Sequence, residues 1–450
     1  ISTYAFPGHV VGGYFTDDEV AHYTRFNLLL FWGIDVVPDP ARGPGWWLPT
    51  QEANTARQAA RLKALNPNIQ LFPYITGFMA QTWFESGWQF SQPNHSAWWV
   101  RDPLSNVVVD CNDTTTTHCY GYSQGAPGKI YDWRIPEVRD YFVQDVIGPY
   151  INNANISGLF LDDTTDFADR CFHPPHGESP CTGFWTVTED DQLDFMNATV
   201  EHLDGALSAM DGLGKTAIVS TEITATSSPL NSSTFDSLLL KHGAIHYMEF
   251  FAGSQNDIDT ALDMTSRGVA LMVHSVGQAN SPFSDRVYCL AAFLIVAGEH
   301  SYWGMGSGWS VDSFPWYPEF DRPLGEPIGP AKVLGPGKYF REFAALNVSL
   351  DVNLKTASIL WHNFGPIPGP PTPPPTPPPP PFGKWVVTSK RIVHQNPPTY
   401  SLTKSISCDS RVASPEQACV NKTAAACDTL PGCKSFAVLS ASFTHMFGEA

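Results

Sequence analysis

Positive charge is scarce in this chain. Its 450 residues include 26 lysines and arginines against 44 aspartates and glutamates, a net charge of −18. So acidic a surface does not favour nucleic acid or anionic lipid, which are held by basic patches, and neither is expected as a partner. Long apolar runs are also missing, and no stretch approaches the roughly 18 residues of a membrane span. The spacing Cys-x-x-Cys does not occur, so His118 and His173, although close to cysteines, do not read as zinc ligands. Val11-Gly12-Gly13-Tyr14 lacks the GxGxxG spacing of a dinucleotide site. Asp162, Asp163 and Asp166 do not match an EF-hand calcium loop. No cofactor and no resident metal are expected. Methionine is absent from position 1; a chain opening at Ile1 reads as processed, with a signal peptide gone.

What is present supports the secretory route. Asn-x-Ser/Thr sequons occur at Asn94, Asn112, Asn155, Asn197, Asn231, Asn347 and Asn421. The cysteines cluster locally: Cys111 with Cys119, Cys171 with Cys181, and Cys408, Cys419, Cys427 and Cys433 together. Local clusters in a secreted chain read as disulfides. Cys289 is left over inside the apolar run 287–297 and reads as a buried thiol. The expected location is extracellular.

Composition divides the chain into three zones. Residues 1–363 look globular, 364–383 are proline-rich, and 384–450 form a small cysteine-bearing module. In the first zone strand-like and helix-like patterns alternate. Strands are expected at 10–15, 27–33, 70–77, 158–163, 216–222, 244–251, 268–275 and 301–305, and helices at 52–65, 136–147, 189–210, 255–266 and 284–297. Gly148-Pro149 is expected to stop the second of these helices. Alternation of this kind implies a parallel sheet, and eight strands suit an α/β fold of the (β/α)8 TIM-barrel class with loop inserts. Two inserts, at 78–130 and 164–186, would extend around the barrel mouth. The first carries Trp83, Trp88, Trp98, Trp99 and Tyr120, which either pack on sugar rings or fill a small core. Pro370–Pro381 is expected to be polyproline II, a semi-rigid spacer of ~37 Å at ~3.1 Å per residue. Thr372 and Thr376 within it are candidate O-glycan sites.

The acids that carry chemistry sit at expected strand ends. Gly158-Leu159-Phe160-Leu161 is a short apolar run ending in Asp162 and Asp163; Glu222 closes the next strand, Glu249 lies in the one after, and His274 ends the seventh. Catalytic groups of such barrels stand at the C-terminal strand ends. Two carboxyl groups converging there can cleave a glycosidic bond, one protonating the leaving oxygen and the other acting as nucleophile or base. If Asp162 faces the axis, strand alternation points Asp163 away from it. Glu222 is the first-choice acid and Glu249 the next. Asp132, Asp163, His274 and Trp303 are candidate substrate contacts; Asp132 would serve equally as a partner for Arg134.

These segments carry resemblances. Gly158-Leu159-Phe160-Leu161-Asp162 resembles the fourth-strand motif of the α-amylase-like glycoside hydrolases, which implies that Asp162 is the nucleophile or base. It departs from them at Phe160, where that family has an arginine holding the nucleophile, and this argues against α-amylase chemistry. Tyr131-Asp132-Trp133-Arg134-Ile135-Pro136-Glu137-Val138-Arg139 and Tyr317-Pro318-Glu319-Phe320-Asp321-Arg322-Pro323-Leu324-Gly325-Glu326-Pro327 resemble segments of hypothetical glycoside-hydrolase-like barrels related to dextranases and polygalactosaminidases. That likeness spans most of residues 1–360. The proline tract resembles hydroxyproline-rich glycoproteins of algal and plant walls, and Gly432-Cys433-Lys434-Ser435-Phe436 resembles part of a PAN/apple module, which binds proteins or carbohydrates. Together they imply a secreted glycoprotein that cleaves, or only binds, a polysaccharide or other glycan. A non-catalytic structural subunit, assembling with copies of itself in an extracellular filament or wall, is the alternative.

Overall fold

Short apolar runs bounded by turns become eight parallel strands: β1 (Tyr4–Ala5), β2 (Leu28–Phe31), β3 (Gln70–Thr76), β4 (Gly158–Asp162), β5 (Thr216–Ser220), β6 (Ile245–Met248), β7 (Ala270–Val276) and β8 (Tyr302–Gly306). The computed structural model describes residues 2–7, 10–11, 13–37, 39, 41, 48–101, 129–164, 189–220, 232–276, 283–306 and 314–362. Each strand pairs with its successor. First and last meet at a parallel bridge between Thr3 and Trp303, where the Trp303 amide donates to the Ser2 carbonyl at 3.1 Å. The sheet therefore closes into the expected barrel.

Each crossover carries at least one helix: α1 (Asp17–Tyr23), α2 (Gln51–Leu65), α3 (Pro136–Tyr141), α4 (Glu189–Asp211), α5 (Ser232–His242), α6 (Gln255–Ser266) and α7 (Phe283–Val296). Local chemistry sets their starts. Thr16 and Glu19 form a reciprocal capping box on α1, and Ser254 and Asp257 do the same for α6. Strands covered on both faces need apolar side chains throughout, which is why Leu28–Phe31 is entirely buried. Gly158 opens β4 because no side chain fits: a Cβ there would lie 1.7 Å from the Thr216 carbonyl oxygen and 2.6 Å from the Phe72 ring.

Several expectations need correction. The first barrel strand is Tyr4–Ala5, not 10–15; Val10–Val11 instead pairs with Ile34–Val36 in a separate two-stranded ladder. The helix from Pro136 does not stop at Gly148-Pro149. It passes through a π-helical turn at Phe142–Val146 and continues over Gly148–Ile151, with Pro149 in the first turn, where its missing N–H costs nothing. α1 and α5 were not foreseen.

Beyond β8 the chain builds a further sheet inside the range expected to be barrel. Strands β9 (Lys332–Gly335), β10 (Lys338–Phe343), β11 (Leu346–Asp351) and β12 (Thr356–Trp361) are antiparallel and adjacent in order. Their period-two pattern buries Tyr339, Arg341, Phe343, Leu346, Val348, Leu350, Ile359 and Trp361 on one face, which packs on α7. Arg341 seals the contact. Its Nη1 donates to the carbonyls of Leu294, Ile295 and Ala297 at 3.0, 3.1 and 2.6 Å, satisfying the open carboxyl end of α7. On α7 itself Cys289 is buried, and burial pushes its thiol up to about 11.

All described residues belong to the first of two units, Ile1–Gly369. The proline tract with Thr372 and Thr376, the 384–450 module, the eight clustered cysteines, and Asn112, Asn231 and Asn421 lie outside the described residues. Among the described residues, no helix is long and apolar enough to cross a membrane.

Candidate active site

The lumen of the barrel is filled by aromatic rings, and this defines which residues point inward. Phe160 on β4 and Tyr247 on β6 touch across the intervening strand, with ring centroids 4.8 Å apart, and Tyr4 on β1 reaches Tyr247 at 6.3 Å. Contacts between non-adjacent strands place these three side chains inside. Register carries the assignment round the sheet: Tyr74 pairs with Phe160, Ile218 with Phe160, Ser220 with Tyr247, and Met272 with Tyr247. Side chains two residues further along each strand stand one layer nearer the C-terminal mouth.

Asp162 occupies that upper layer on β4, above Phe160. It is half-buried, with Oδ1 shielded from solvent. Its backbone is held from both sides. The Gly77 amide donates to the Asp162 carbonyl at 2.6 Å, and the Thr164 hydroxyl donates to the Ser220 carbonyl at 2.9 Å, tying the exit of β4 to β5. Gly77 is needed here because a Cβ would meet Thr164 Cγ2 at 2.5 Å. Asp163 turns into the left-handed region (φ 53°). The strand ends at that turn, so the alternation by which Asp163 was expected to point outward no longer applies to it.

Glu249 follows β6 two residues after Tyr247 and continues its inward parity, half-buried like Asp162. The two acids meet electrostatically at one phenol. Burial raises the Tyr247 hydroxyl well above its ordinary pKa, and the charges of Glu249 and Asp162 both add to the rise. Burial likewise raises Tyr4, with Glu249 contributing. Both phenols stay protonated across the physiological range. Glu222, the first-choice acid from the sequence, lies two positions beyond Ser220 and outside the described residues.

The remaining candidates divide. His274 is fully buried, packed between Tyr247 at 6.3 Å and Phe314 at 5.6 Å, and burial lowers its imidazole to about 4. It stands two residues beyond Met272, the partner of Tyr247, as a neutral ring. Asp132 is bound by Arg134, whose Nε and Nη2 donate to its two oxygens at 2.8 and 2.7 Å; this pair holds the turn into α3. Trp303 was expected to contact substrate, and the structure places it elsewhere. It has the opposite parity to the inward Tyr302 and Gly304, is fully buried against Phe293 of α7 and Phe320, and donates from Nε1 to Ser275 Oγ at 3.0 Å. It belongs to the layer between sheet and helices.

The aromatic insert after β3 also splits in two. Trp98 and Trp99 help fill a small core: Trp98 packs on Phe90, His95 and Tyr141, and Trp99 Nε1 donates to the Phe90 carbonyl at 2.9 Å. Trp83 instead meets Trp32, at the C-terminal end of β2, with centroids 6.2 Å apart. Sequence reasoning missed Trp32 and Tyr247. The usable signal was parity, since each lies an even number of residues from an inward neighbour on its own strand. Among the described residues, no cluster of three or more metal-binding side chains occurs.

The model of hypothetical glycosyl hydrolase family 15 matches residues 63–347, more than half of the chain. No curated protein matches the sequence. Among solved structures, the chain is similar to sucrose 6F-phosphate phosphorylase from Thermoanaerobacter thermosaccharolyticum (TM-score 0.40, 9% identity, 79% of this chain and 94% of that one). It is also similar to a cyclic alpha-maltosyl-(1→6)-maltose hydrolase from Arthrobacter globiformis (0.42, 10%, 78% and 86%) and to an Anoxybacillus alpha-amylase (0.40, 9%, 74% and 76%).

Proposed function

Because the chain belongs to hypothetical glycosyl hydrolase family 15, we propose that it is a secreted hydrolase of glycosidic bonds, with Asp162 and a glutamate across the mouth as its reacting pair. The observation that carries this is the shared position of Asp162 and Glu249. They take the inward parity at the ends of β4 and β6, and both impose their charge on Tyr247. Asp162 is the nucleophile or the base that activates water, and the glutamate is the acid that protonates the leaving oxygen. Glu222 and Glu249 are the two candidates for that acid. A carboxyl separation of ~5–5.5 Å would give retention and ~6.5–9.5 Å inversion. The buried phenols beneath form an uncharged floor, where opposed environments can keep one carboxyl protonated and the other ionised. Burial also strengthens each electrostatic interaction above that floor. A glycan is the partner, and secretion is supported by the sequons, of which Asn94 and Asn197 are exposed and Asn155 and Asn347 half-exposed.

The test is release of reducing ends from glycans by wild type, Asp162→Asn, Glu222→Gln and Glu249→Gln. Asp162→Asn is expected to lose activity by about a thousandfold or more, and one of the two glutamine variants to lose the alkaline limb of the pH profile, which the protonated acid controls. Full activity in Asp162→Asn would sink the assignment. Wild type that binds glycan yet releases nothing would favour the non-catalytic glycoprotein instead.

A further inference from the structure

The geometry points to Trp32, backed by Trp83, as a stacking platform for the apolar face of an uncharged pyranose bound beside Asp162. This inference rests on the hydrolase reading and names a subsite for it. Trp32 follows β2 with the inward parity of Leu28 and Leu30, whose partners on β3 are Gln70 and Phe72. Its ring lies 5.7 Å from Tyr74, tilted by 42°, and 6.2 Å from Trp83, tilted by 43°. Tyr74 in turn meets Phe160 at 5.7 Å, and Asp162 stands one layer above Phe160. Trp32, Tyr74 and Phe160 thus form one row across three adjacent strands. Two strand spacings put Trp32 about 10 Å laterally from the β4 axis, the reach of two linked sugar rings.

Exposure separates the Trp32 end of this row from the rest of the lumen. Phe160, Tyr247 and Tyr4 are sealed, whereas Trp32, Tyr74 and Trp83 are each half-buried, packed against the core aromatics and still partly open to solvent. The insert is also fixed there by its backbone, since the Gln51 amide at the start of α2 donates to the Trp83 carbonyl at 3.3 Å. A rigid, partly wet aromatic surface next to a carboxylate suits a ring with an apolar C–H face and polar edges. The acidic surroundings, Asp162, Glu249 and a net charge of −18, disfavour uronic or sulfated sugars.

The experiment uses the full chain with heptamers of α-1,4-, α-1,6-, β-1,3- and β-1,4-linked glucose as probes. On the heptamer cleaved fastest, Trp32→Ala should raise KM by roughly tenfold or more, and more than it lowers kcat, with Trp32→Phe intermediate. Asp162→Asn should bind that heptamer with a change in tryptophan fluorescence, and the double variant Asp162→Asn/Trp32→Ala should lose it. Thermal melts of Trp32→Phe guard against a folding defect. Unchanged KM and unchanged binding in the Trp32 variants, with Asp162→Asn inactive, would overturn the platform and leave the hydrolase reading standing. Turnover by Asp162→Asn would instead break the hydrolase reading. Absence of binding to all four heptamers by Asp162→Asn would overturn the platform.

Discussion

Two buried histidines and one half-buried make the fold sensitive to mild acid. His202 lies face to face with Trp133, centroids 3.5 Å apart, and against Phe142; burial, aided by the charge of Arg139, lowers it to about 3. His246 packs on Phe235 and is lowered by burial to about 4. His274 is lowered to about 4, chiefly by burial. The ordinary value is 6.5. Each histidine therefore binds a proton more readily unfolded than folded, so stability is complete above the unfolded value and is lost as pH falls towards the folded one. Between about pH 7.5 and about pH 5 the linkage amounts to about 2 kcal/mol for each, roughly 6 kcal/mol in all. That rivals the whole stability of an ordinary domain, about 5–15 kcal/mol. Urea unfolding followed by fluorescence across this window should show the loss, approaching three protons taken up on unfolding. His246→Leu should remove about a third of the slope. A stability that changes by less than ~1 kcal/mol over the window would refute the neutral, buried state of these rings.

Two further substitutions test the framework. Gly158→Ala drives a methyl group to 1.7 Å from the Thr216 carbonyl oxygen, so the start of β4 must move away from β5. The expected cost is about 3 kcal/mol or more, read as a lower melting temperature or loss of soluble protein; an unchanged melt would contradict the close approach. Arg341→Met strips the donor from three carbonyls at the end of α7, at an expected cost of about 2–4 kcal/mol in urea unfolding, with Arg341→Lys recovering part of it. A wild-type midpoint for Arg341→Met would show that this contact does not secure the sheet to the barrel.

What was legible in the sequence follows from how each segment is buried. β4 could be read because both faces of Gly158–Leu161 are covered, leaving an apolar run with an acid at its end. β1 could not, because two residues give no period, and Val10-Val11 nearby offers a stronger β-branched signal for what proves to be a side ladder. The sheet β9–β12 alternates clearly, with Tyr339, Arg341 and Phe343 inside and Lys338, Phe340 and Glu342 facing away or half-covered. Yet a buried arginine interrupts the apolar set, and its partner, the carboxyl end of α7, is invisible to a local pattern.

The site was legible only as far as parity was. In a strand of period two, a shift by one residue exchanges lumen for helix layer. In sequence Asp162 and Glu249 stood out as acids at strand ends, and counting two residues on from Phe160 and Tyr247, whose rings meet in the lumen, gives both the inward parity. Asp163 escaped it because a left-handed turn ends the strand. The two tryptophans make the same point most sharply. Trp303 and Trp32 each lie in or directly beside a barrel strand and carry the same chemistry. One has the parity of the helix layer and disappears behind α7; the other has the parity of the lumen and is left half-open, two strands from Asp162. Nothing in their immediate sequence separates them. The difference is set by register, through the Thr3–Trp303 bridge that closes the barrel and the pairing of Leu30 with Phe72. The aromatic proposed to take a sugar is therefore told apart by register and by its contact with the inward Tyr74, a question that composition cannot pose and topology answers.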